Sequence, residues 1–452
     1  MRMGSVMLAG EGNRTVDILG SFGLFLFAFA SLLSTSGASL GLALLVGTML
    51  LQPSAWRELR RDPLILLGVV STLYLVARAL WAMREFPETV HLQVRQARDW
   101  VGLWLFVVVA WWLKGDLRRS GRVLLLALLG LLVGVAGHLF THGHILWSGQ
   151  RTGFHLRAIA FGLYSGTAIL GLGILAPRIW GNKDDVTHFA IRVGLWLISL
   201  AALVQGLIMT QSRGAWMAAA LVIPPVTLLR YLSAATRRSW SWRRRLGFAA
   251  SALLIATVLV LLNLRIISTR LSQEREVFAA AWRGDFDAVP TSGLGVRVHT
   301  LRFGLVKWLE RPLLGWGPGS TEYLISRSGL PELRHSEWGE GGWVQGHAWL
   351  DHLHNTYLEI LVRFGLVGCL LMVIVLGALV RGTWIAYRAG RLPSDYVWFL
   401  AGSLALISIW SLSDFRLLHP DWRSYWIILG GVVATFRWHL RPTDSSSLAD
   451  TS

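Results

Sequence analysis

Apolar runs of about twenty residues recur along the whole chain and are separated by shorter, polar connections. A helix of this length is able to cross a bilayer, so the pattern predicts an all-α polytopic membrane protein with about twelve transmembrane helices. The helices are expected at residues 16–34, 37–53, 64–82, 100–114, 123–141, 159–176, 193–211, 215–230, 246–264, 357–380, 396–413 and 422–436.

Charged residues are scarce, at 15% of 452 residues, whereas 54% of the residues are hydrophobic. Soluble domains usually carry about 25% charged residues, so the deficit supports a location in lipid. The formal net charge is +17, from 43 Lys and Arg against 26 Asp and Glu. Such a balance can indicate nucleic-acid binding, but in a membrane protein Arg-rich cytoplasmic connections and anionic lipid explain it more simply. The expected partners therefore include membrane lipids and no nucleic acid.

Lys and Arg are distributed unequally between the two sides of the expected helices. The connections on the side that includes both termini hold 23 of them, and the alternate short connections hold 8. Because cytoplasmic connections are enriched in Lys and Arg, the first set and both termini are predicted to be cytoplasmic. The chain then divides into helices one to nine at residues 1–264, a large outer loop at 265–356, and helices ten to twelve with a short cytoplasmic tail at 357–452.

The large outer loop is expected to contain helical pieces. Across residues 297–311 four large apolar residues share one face, namely Leu301, Leu305, Trp308 and Leu309. An amphipathic helix of this kind is suited to lying on the membrane or to capping a cavity. A Pro/Gly-rich turn at residues 311–319 ends it.

Two segments place a candidate catalytic residue at the outer mouth of the membrane. Arg213 lies in the short connection between helices seven and eight, where a guanidinium and helix N-terminal N–H groups could form an anion site. His354 lies where the large loop enters helix ten, and a histidine there can act as a general base near neutral pH. The alternatives are an ordinary interfacial arginine and a hydrogen-bonded structural histidine. Glu359 and Arg363, four residues apart on a helix, are expected to pair.

Six further arginines on the outer side depart from the positive-inside trend: Arg95, Arg98, Arg151, Arg157, Arg297 and Arg302. Phosphate is a natural partner for them, because a guanidinium can bind it bidentately. Attraction to anionic lipid head groups is the alternative explanation. Arg95 and Arg98 are expected to share one face of a short helix with His91.

Metal-binding and nucleotide-binding patterns are weak in this sequence. There is no Asp-x-Asp pair on the outer side and no P-loop. The single cysteine, Cys369, lies in an apolar run, which excludes a disulfide framework and a Cys-based metal site. His347, His352 and His354 are close in sequence, but with only Asp351 beside them the pattern does not favour zinc. No metal and no other cofactor is therefore expected.

Three segments, taken in order, resemble the O-antigen ligase and polymerase superfamily across roughly residues 195–375. They are QSRGA at 211–215, Arg297 followed by RPLLGWGPG at 311–319, and HNTYLE at 354–359 leading into GLVG at 365–368. Arg213 matches the family's Ser-Arg position and His354 its His-Asn position, while Arg151 in QRTG resembles an Arg-x-x-Gly site in an earlier outer loop. The sequence departs from the family pattern in lacking the Asn that usually follows Arg151, and in having Leu301 where Trp is frequent.

The resemblance implies a glycosyltransferase that moves a glycan from undecaprenyl pyrophosphate to an acceptor at the periplasmic face of the inner membrane. For an O-antigen ligase of lipopolysaccharide biosynthesis, the acceptor is lipid A–core oligosaccharide, and neither nucleotide nor metal is needed. Arg213 and His354 are then the expected catalytic residues. The expected substrate-binding residues are Arg95, Arg98, Arg151, Arg297, Arg302, Asn355 and Tyr357.

The chemistry of these residues fits that reaction. Arginines can stabilise the charge on a departing pyrophosphate in place of a metal, and His354 can take the proton of an acceptor hydroxyl. Attack from the face opposite the pyrophosphate would invert the anomeric carbon. The motifs do not separate an O-antigen ligase from an O-antigen polymerase or a protein O-oligosaccharyltransferase. A flippase or transporter of lipid-linked oligosaccharides is the alternative of a different class, but transporters tend to place polar residues at mid-membrane.

Overall fold

The structure, a computed structural model of the chain, describes residues 3–146, 149–180, 186–233, 242–272, 275–291, 293–333 and 349–438. Within these ranges the fold is all-α and contains no β-strand, which confirms the all-α part of the predicted fold class. The helices are α1 (Met3–Ala30), α2 (Thr35–Leu50), α3 (Pro53–Leu59), α4 (Pro63–Glu85), α5 (Val90–Gly102), α6 (Phe106–Leu113), α7 (Leu117–His142), α8 (Ala158–Ile174), α9 (Ala176–Trp180), α10 (Val186–Met209), α11 (Arg213–Leu232), α12 (Trp242–Leu262), α13 (Leu264–Ser272), α14 (Arg275–Trp282), α15 (Gly293–Glu310), α16 (Ser320–Arg327), α17 (Thr356–Arg388), α18 (Ser394–Trp410) and α19 (Pro420–Trp438).

Five of the described helices are long and apolar enough to cross a membrane, namely α4, α7, α10, α11 and α17. The number rises to seven if each of two bent pairs counts as one span. One pair is α2 with α3, which meet at an angle of 87°, and the other is α12 with the segment that contains α13 and α14. By these lengths and compositions the chain is an integral membrane protein.

Each of the twelve expected spans overlaps a helix, but several of these helices are short or broken. The expected helix at 100–114 is divided between α5 and α6 by a 3-10 turn at Leu103–Leu105. Both α8 and α18 have 17 residues, and a helix of that length is about 26 Å long, against a hydrocarbon core of roughly 30 Å. The count of twelve and the cytoplasmic termini therefore stay predictions. Some basic residues behind that orientation lie outside the described residues, namely Arg2, Lys183, Arg237, Arg238 and Arg441.

The helices share a large apolar core with completely buried aromatic side chains. Within this core α1 packs along α2, and α6 packs along α19. Trp112 is fully buried, and its Nε1 donates to the Leu45 carbonyl at 3.1 Å, as buried tryptophans usually require. Trp410, the last residue of α18, is also fully buried. It therefore anchors the start of the connection between α18 and α19.

The Pro/Gly turn at residues 311–319 docks against a kink in α17. The Trp316 N–H donates to the Val362 carbonyl at 2.9 Å, so the turn follows the backbone of that helix. Gly315 and Gly365 have φ angles of 67° and 62°, and a Cβ at either position would lie within 2.5 Å of the opposite backbone. Two glycines of the sequence motifs thus allow the large loop to seat on α17, and Gly365 marks the kink.

The loop helix α15 packs on the first turns of α17. Gly304 makes the close approach, since a Cβ there would lie 2.5 Å from the Leu358 side chain. Leu301, Leu305 and Leu309 are exposed along another face of α15. The helix predicted at 297–311 is confirmed with slightly different bounds. Its row of exposed leucines is the amphipathic pattern expected of a helix that lies on the membrane or caps a cavity, and both roles stay predictions.

Candidate functional site

Segments that are far apart in sequence meet at the connection between α18 and α19, residues 411–419, which is called the 411–419 connection below. Arg297 on α15 donates from Nε to the Ser413 carbonyl at 2.8 Å. Gly214, at the start of α11, also approaches Ser413, because a Cβ there would lie 1.9 Å from Ser413 Oγ. Two of the three sequence motifs are thereby brought to one short connection.

The third motif joins the same connection through the first turn of α17. Asn355 caps the helix, since its side-chain oxygen accepts from the Leu358 N–H at 3.0 Å. Its Nδ2 donates to the Leu412 carbonyl at 3.0 Å, and the Thr356 hydroxyl donates to the Asp414 carbonyl at 2.7 Å. Asn355 therefore has a structural role as a helix cap, and it holds α17 against the 411–419 connection.

His354 faces the side chain of Asp414. Its backbone is left-handed, with φ of 51°, which is uncommon for a residue other than glycine and is often found at functional sites. The Nδ1 atom lies 3.4 Å from Asp414 Oδ1, and the Asp414 side chain is only 3% exposed. A buried carboxylate beside Nδ1 favours the tautomer in which Nδ1 carries the hydrogen and Nε2 can accept a proton.

His352 lies against the other side of this pair. Its Nε2 is 3.6 Å from Asp414 Oδ1, and its Nδ1 is 2.5 Å from Asp351 Oδ1. The ring centroids of His352 and His354 are 4.3 Å apart. Ligand atoms of His352, His354 and Asp414 all lie within 4.8 Å of one another, so this group could also hold a metal ion.

The two histidines have opposite electrostatic environments. Burial, together with the neighbouring charge on His352, lowers the pKa of His354 to about 4. Burial also disfavours the charged form of His352, but the carboxylates of Asp351 and Asp414 outweigh it and raise its pKa to about 10. For Asp414, burial opposes ionisation, yet the two histidines, whose ring nitrogens lie 3.4 and 3.6 Å from its Oδ1, hold its pKa well below the usual range. At neutral pH His354 is thus in the neutral form that a general base requires, and the lowered pKa makes it a weaker base than a free imidazole.

A polar cavity of about 280 Å³ opens beside His352. Arg95 on α5 lines this cavity and pairs with Glu322 at 3.0 Å. Arg98, one turn further along the same helix, is exposed and lies 3.6 Å from Asp99. The predicted short helix with Arg95 and Arg98 on an exposed face is confirmed, and it brings Arg95 to the rim of the site.

An apolar cavity of about 220 Å³ lies along the first turns of α17. Its walls include Thr356, Tyr357, Ser411, Trp104 and Trp422. Two of these residues, Thr356 and Ser411, also join α17 to the 411–419 connection, through an N–H to carbonyl bond of 2.9 Å. The cavity therefore adjoins the two elements, α17 and the 411–419 connection, that hold His354 and Asp414.

Arg213 and Arg151 lie at the connection between α10 and α11. Arg213 donates from Nε and Nη2 to the Arg270 carbonyl, at 3.1 and 2.7 Å. Arg151 donates from Nε to the Thr210 carbonyl at 3.1 Å, three residues before Arg213. Gln211, which lies between Thr210 and Arg213 in the chain, has a left-handed backbone with φ of 47°. The structure thus brings Arg151 and Arg213 to the same connection, which touches Ser413 through Gly214.

The remaining predicted residues differ in their relation to His354. Arg297 lies close enough to contribute to lowering the pKa of His354. Arg302, five residues later on α15, instead makes an exposed ion pair with Asp287 at 3.2 Å, because five residues turn a helix by more than a third of a circle. Tyr357 donates from its hydroxyl to the Ser408 carbonyl at 2.9 Å, which directs it along α18.

The Glu359–Arg363 pair expected from the sequence is confirmed. Arg363 Nε donates to Glu359 Oε1 at 2.7 Å, and both side chains are buried. Glu359 Oε2 also accepts from the Leu353 N–H at 2.8 Å. This ion pair therefore fixes the backbone immediately before His354.

Sequence reasoning missed Asp414 and the part played by His352. Asp414 lies 60 residues after His354, in a connection that the sequence marks only by the polar run SLSD at 411–414. An acidic residue in the short connection between two apolar runs is the sequence signal that points to Asp414. The sequence presents His352 only as a neighbour of His347 and His354, and His347 lies outside the described residues.

A comparison with protein-family models matches residues 197–373 to a family described as O-antigen ligase. The matched range contains Arg213, Arg297 and His354 and ends within α17, so the 411–419 connection lies beyond it. No curated protein matches the chain.

Proposed function

We propose that the chain is an O-antigen ligase, because residues 197–373 match a family described as O-antigen ligase and so support membership of the O-antigen ligase/polymerase superfamily. It transfers a glycan from undecaprenyl pyrophosphate to lipid A–core oligosaccharide at the periplasmic face of the inner membrane. The reaction uses neither a metal nor a nucleotide. In this proposal residues 265–356 form the large periplasmic loop, and residues 1–264 and 357–452 form the membrane-spanning parts with cytoplasmic termini.

The observation that carries the proposal is the meeting of three motifs at the 411–419 connection. Arg297 contacts the Ser413 carbonyl, Gly214 approaches the Ser413 side chain, and His354 faces Asp414. Contacts that only stabilise the fold would not require a neutral histidine, a buried carboxylate and arginines at the same place. A histidine with a carboxylate behind it is a recurrent arrangement for general-base catalysis.

His354 acts as the general base in the proposed step. The acceptor hydroxyl oxygen forms a bond to the anomeric carbon while the bond from that carbon to the pyrophosphate oxygen breaks. The hydroxyl proton moves to His354 Nε2, and the electron pair of the broken bond leaves with the pyrophosphate. Asp414 stabilises the imidazolium that forms. Because the hydroxyl attacks opposite the leaving group, the anomeric configuration is inverted.

Arginines balance the charge of the leaving pyrophosphate. Arg297 is the first candidate, because its guanidinium lies beside the 411–419 connection and its charge acts on His354. Arg213 and Arg151 extend the cationic region from the α10–α11 connection. Preorganised cations of this kind stabilise charge that develops in the transition state. Arg95 and the more distant exposed arginines would contact the donor or the glycan at the rim.

Both substrates are lipids, and the apolar cavity along α17 supports their approach from the membrane. Its walls are aromatic or aliphatic apart from a few hydroxyl groups. A section of polyprenyl or acyl chain would therefore make mainly apolar contacts there. Tyr357 lies in its wall and can contact the part of the lipid that lies nearest to His354.

The deciding experiment is reconstitution in detergent with purified chain, undecaprenyl pyrophosphate-linked glycan and lipid A–core. Transfer needs no second compartment, whereas transport needs two. Formation of glycosylated lipid A–core in micelles, detected by mass spectrometry, supports the ligase. Movement of the donor across vesicle membranes without any transfer in micelles would instead favour a flippase.

A second comparison separates a ligase from a polymerase of the same superfamily. Without lipid A–core, a polymerase lengthens the glycan on the carrier lipid, and a ligase leaves it unchanged. In cells, loss of a ligase leaves full-length chains on the carrier lipid, whereas loss of a polymerase leaves single repeats on the core. Lengthened carrier-linked glycan in the first assay would contradict the ligase and favour the polymerase.

A further inference from the structure

Three side chains of the site converge more closely than general-base catalysis requires. His354 Nδ1 and His352 Nε2 lie 3.4 and 3.6 Å from the same oxygen, Oδ1 of Asp414. All three ligand atoms lie within 4.8 Å of one another. In tetrahedral zinc sites with bonds of about 2.0–2.2 Å, neighbouring ligand atoms are roughly 3.3–3.6 Å apart. Two of the three separations therefore already suit a zinc ion.

His352 is also oriented as zinc-binding histidines usually are. Its Nδ1 lies 2.5 Å from Asp351 Oδ1, so Asp351 accepts the Nδ1 hydrogen and Nε2 points toward Asp414. Metal-binding histidines almost always donate their second ring N–H to a carboxylate, a carbonyl or water. Within the described part of the chain, His352 Nε2 and Asp414 Oδ2 are buried and have no hydrogen-bond partner. Buried polar atoms in that condition favour a bound ligand.

We propose that His352, His354 and Asp414 form a zinc site that inhibits the enzyme when it is occupied. The ion binds His354 Nδ1, His352 Nε2 and a carboxylate oxygen of Asp414, and water takes the fourth position. On binding, the hydrogen of His354 Nδ1 moves to Nε2 and the Nε2 proton of His352 is released to water, because a metal takes imidazole in its neutral form. The inhibition rests on the proposed function. Bound zinc separates Asp414 from His354 and withdraws electron density from the imidazole, so His354 no longer takes the acceptor proton.

The ligand set and the surroundings select the kind of ion. Two imidazoles and one carboxylate suit Zn²⁺ and neighbouring transition metals, whereas Mg²⁺ and Ca²⁺ prefer oxygen ligands. The polar cavity of about 280 Å³ reaches His352 and Asp351, which gives an ion a route to the site. An inhibitory ion is compatible with a transfer reaction that proceeds in the presence of a chelator.

Direct metal binding tests the site without any transfer assay. The full chain is purified in detergent through an affinity tag without histidines, stripped with EDTA, desalted and titrated with Co²⁺. The visible absorption of Co²⁺ reports tetrahedral coordination, and Zn²⁺ should displace it. We expect one tight equivalent. His352→Gln should weaken zinc binding roughly 100-fold or more, and Asp351→Asn about 10- to 100-fold, the usual effect of losing a hydrogen-bond partner of a metal ligand.

His142→Gln is the matched control. His138 and His142 form another close histidine pair, at the end of α7, with ring centroids 4.7 Å apart. The control should bind metal like the wild type. The proposal is overturned if the tight equivalent persists in a His352→Gln variant with a normal thermal unfolding transition, or if it is lost in His142→Gln instead.

Inhibition is measured separately, with each variant compared to its own zinc-free rate. A slight excess of Zn²⁺ should lower the wild-type transfer rate by at least about tenfold, as expected for loss of a general base, and EDTA should restore it. His352→Gln should lose most of this sensitivity. Zinc that binds through His352 without slowing transfer overturns the regulatory inference. A chain that binds zinc as expected but transfers no glycan with or without the ion supports the site and contradicts the proposed function.

Discussion

Asp414→Asn is the sharpest test of the proposed base, because it changes charge with little change in shape. The wild-type carboxylate is buried and lies 3.4 Å from His354 Nδ1. Its main-chain carbonyl, which accepts from Thr356, is unaffected by the substitution. The variant should therefore keep the 411–419 connection in place while it removes the negative charge behind the histidine.

The expected magnitude follows from the contact that is lost. A hydrogen bond to a charged group contributes about 1.5–3 kcal/mol, and about 1.4 kcal/mol corresponds to a tenfold change in rate. The transfer rate should thus fall by roughly 10- to 150-fold. The 3.4 Å separation exceeds the roughly 2.7–2.9 Å of a strong charge-assisted bond. Most of the stabilisation is therefore expected only when His354 becomes protonated, so kcat should fall and KM should change little.

The assay compares steady-state transfer and donor binding on the same purified variant, with thermal unfolding as a check of integrity. Asp287→Asn is the matched control, because Asp287 is exposed and pairs with Arg302 rather than with the histidines. The control should transfer at nearly the wild-type rate. A folded Asp414→Asn variant with an unchanged kcat would refute the idea that Asp414 supports His354 as the base. Weaker donor binding and a higher KM with an unchanged kcat would instead assign Asp414 to the binding of substrate.

Four further outcomes are expected. His354→Ala should bind the donor and fold normally, but its transfer rate should fall about 10²- to 10⁴-fold, the usual size of a lost acid–base contribution. Loss of thermal stability together with activity would indicate a structural histidine. Arg213→Lys keeps the charge but loses the planar fork that holds the Arg270 carbonyl, so transfer should drop roughly ten- to a hundredfold, and near wild-type transfer would mean that Arg213 only anchors the interface. Transfer should persist in EDTA without ATP, and activity that returns only on adding Mg²⁺ or Mn²⁺ would contradict this. Gly365→Ala should lower the free energy of unfolding by about 1–3 kcal/mol, because the left-handed backbone has to be kept and the added Cβ meets the Leu313 backbone. Gly377→Ala in the same helix is the control, since a Cβ there meets nothing within 4 Å. Equal thermal unfolding of the two variants would show that the kink is not required.

Much of the fold could be predicted from local patterns. Apolar runs indicate membrane helices wherever they occur, since the gain from burying them in lipid depends on the composition of each run. The loop helix at α15 and the Glu359–Arg363 pair follow from helical spacing in the same way. The count of spans does not follow from local patterns, because it depends on how neighbouring helices bend and shorten. The division of residues 100–114 between α5 and α6 has no strong local signal.

The candidate site divides along the same line. By itself the sequence determined an all-α membrane architecture and indicated Arg213, Arg297 and His354, because each lies in or before a short segment that resembles a family motif. Only the tertiary structure decided that these segments meet at the 411–419 connection, and that the partner of His354 is Asp414. That contact joins residues 60 positions apart. It arises from the packing of α17 and α19 and from a buried Trp410 at the end of α18, and such long-range packing leaves no periodic trace in the chain.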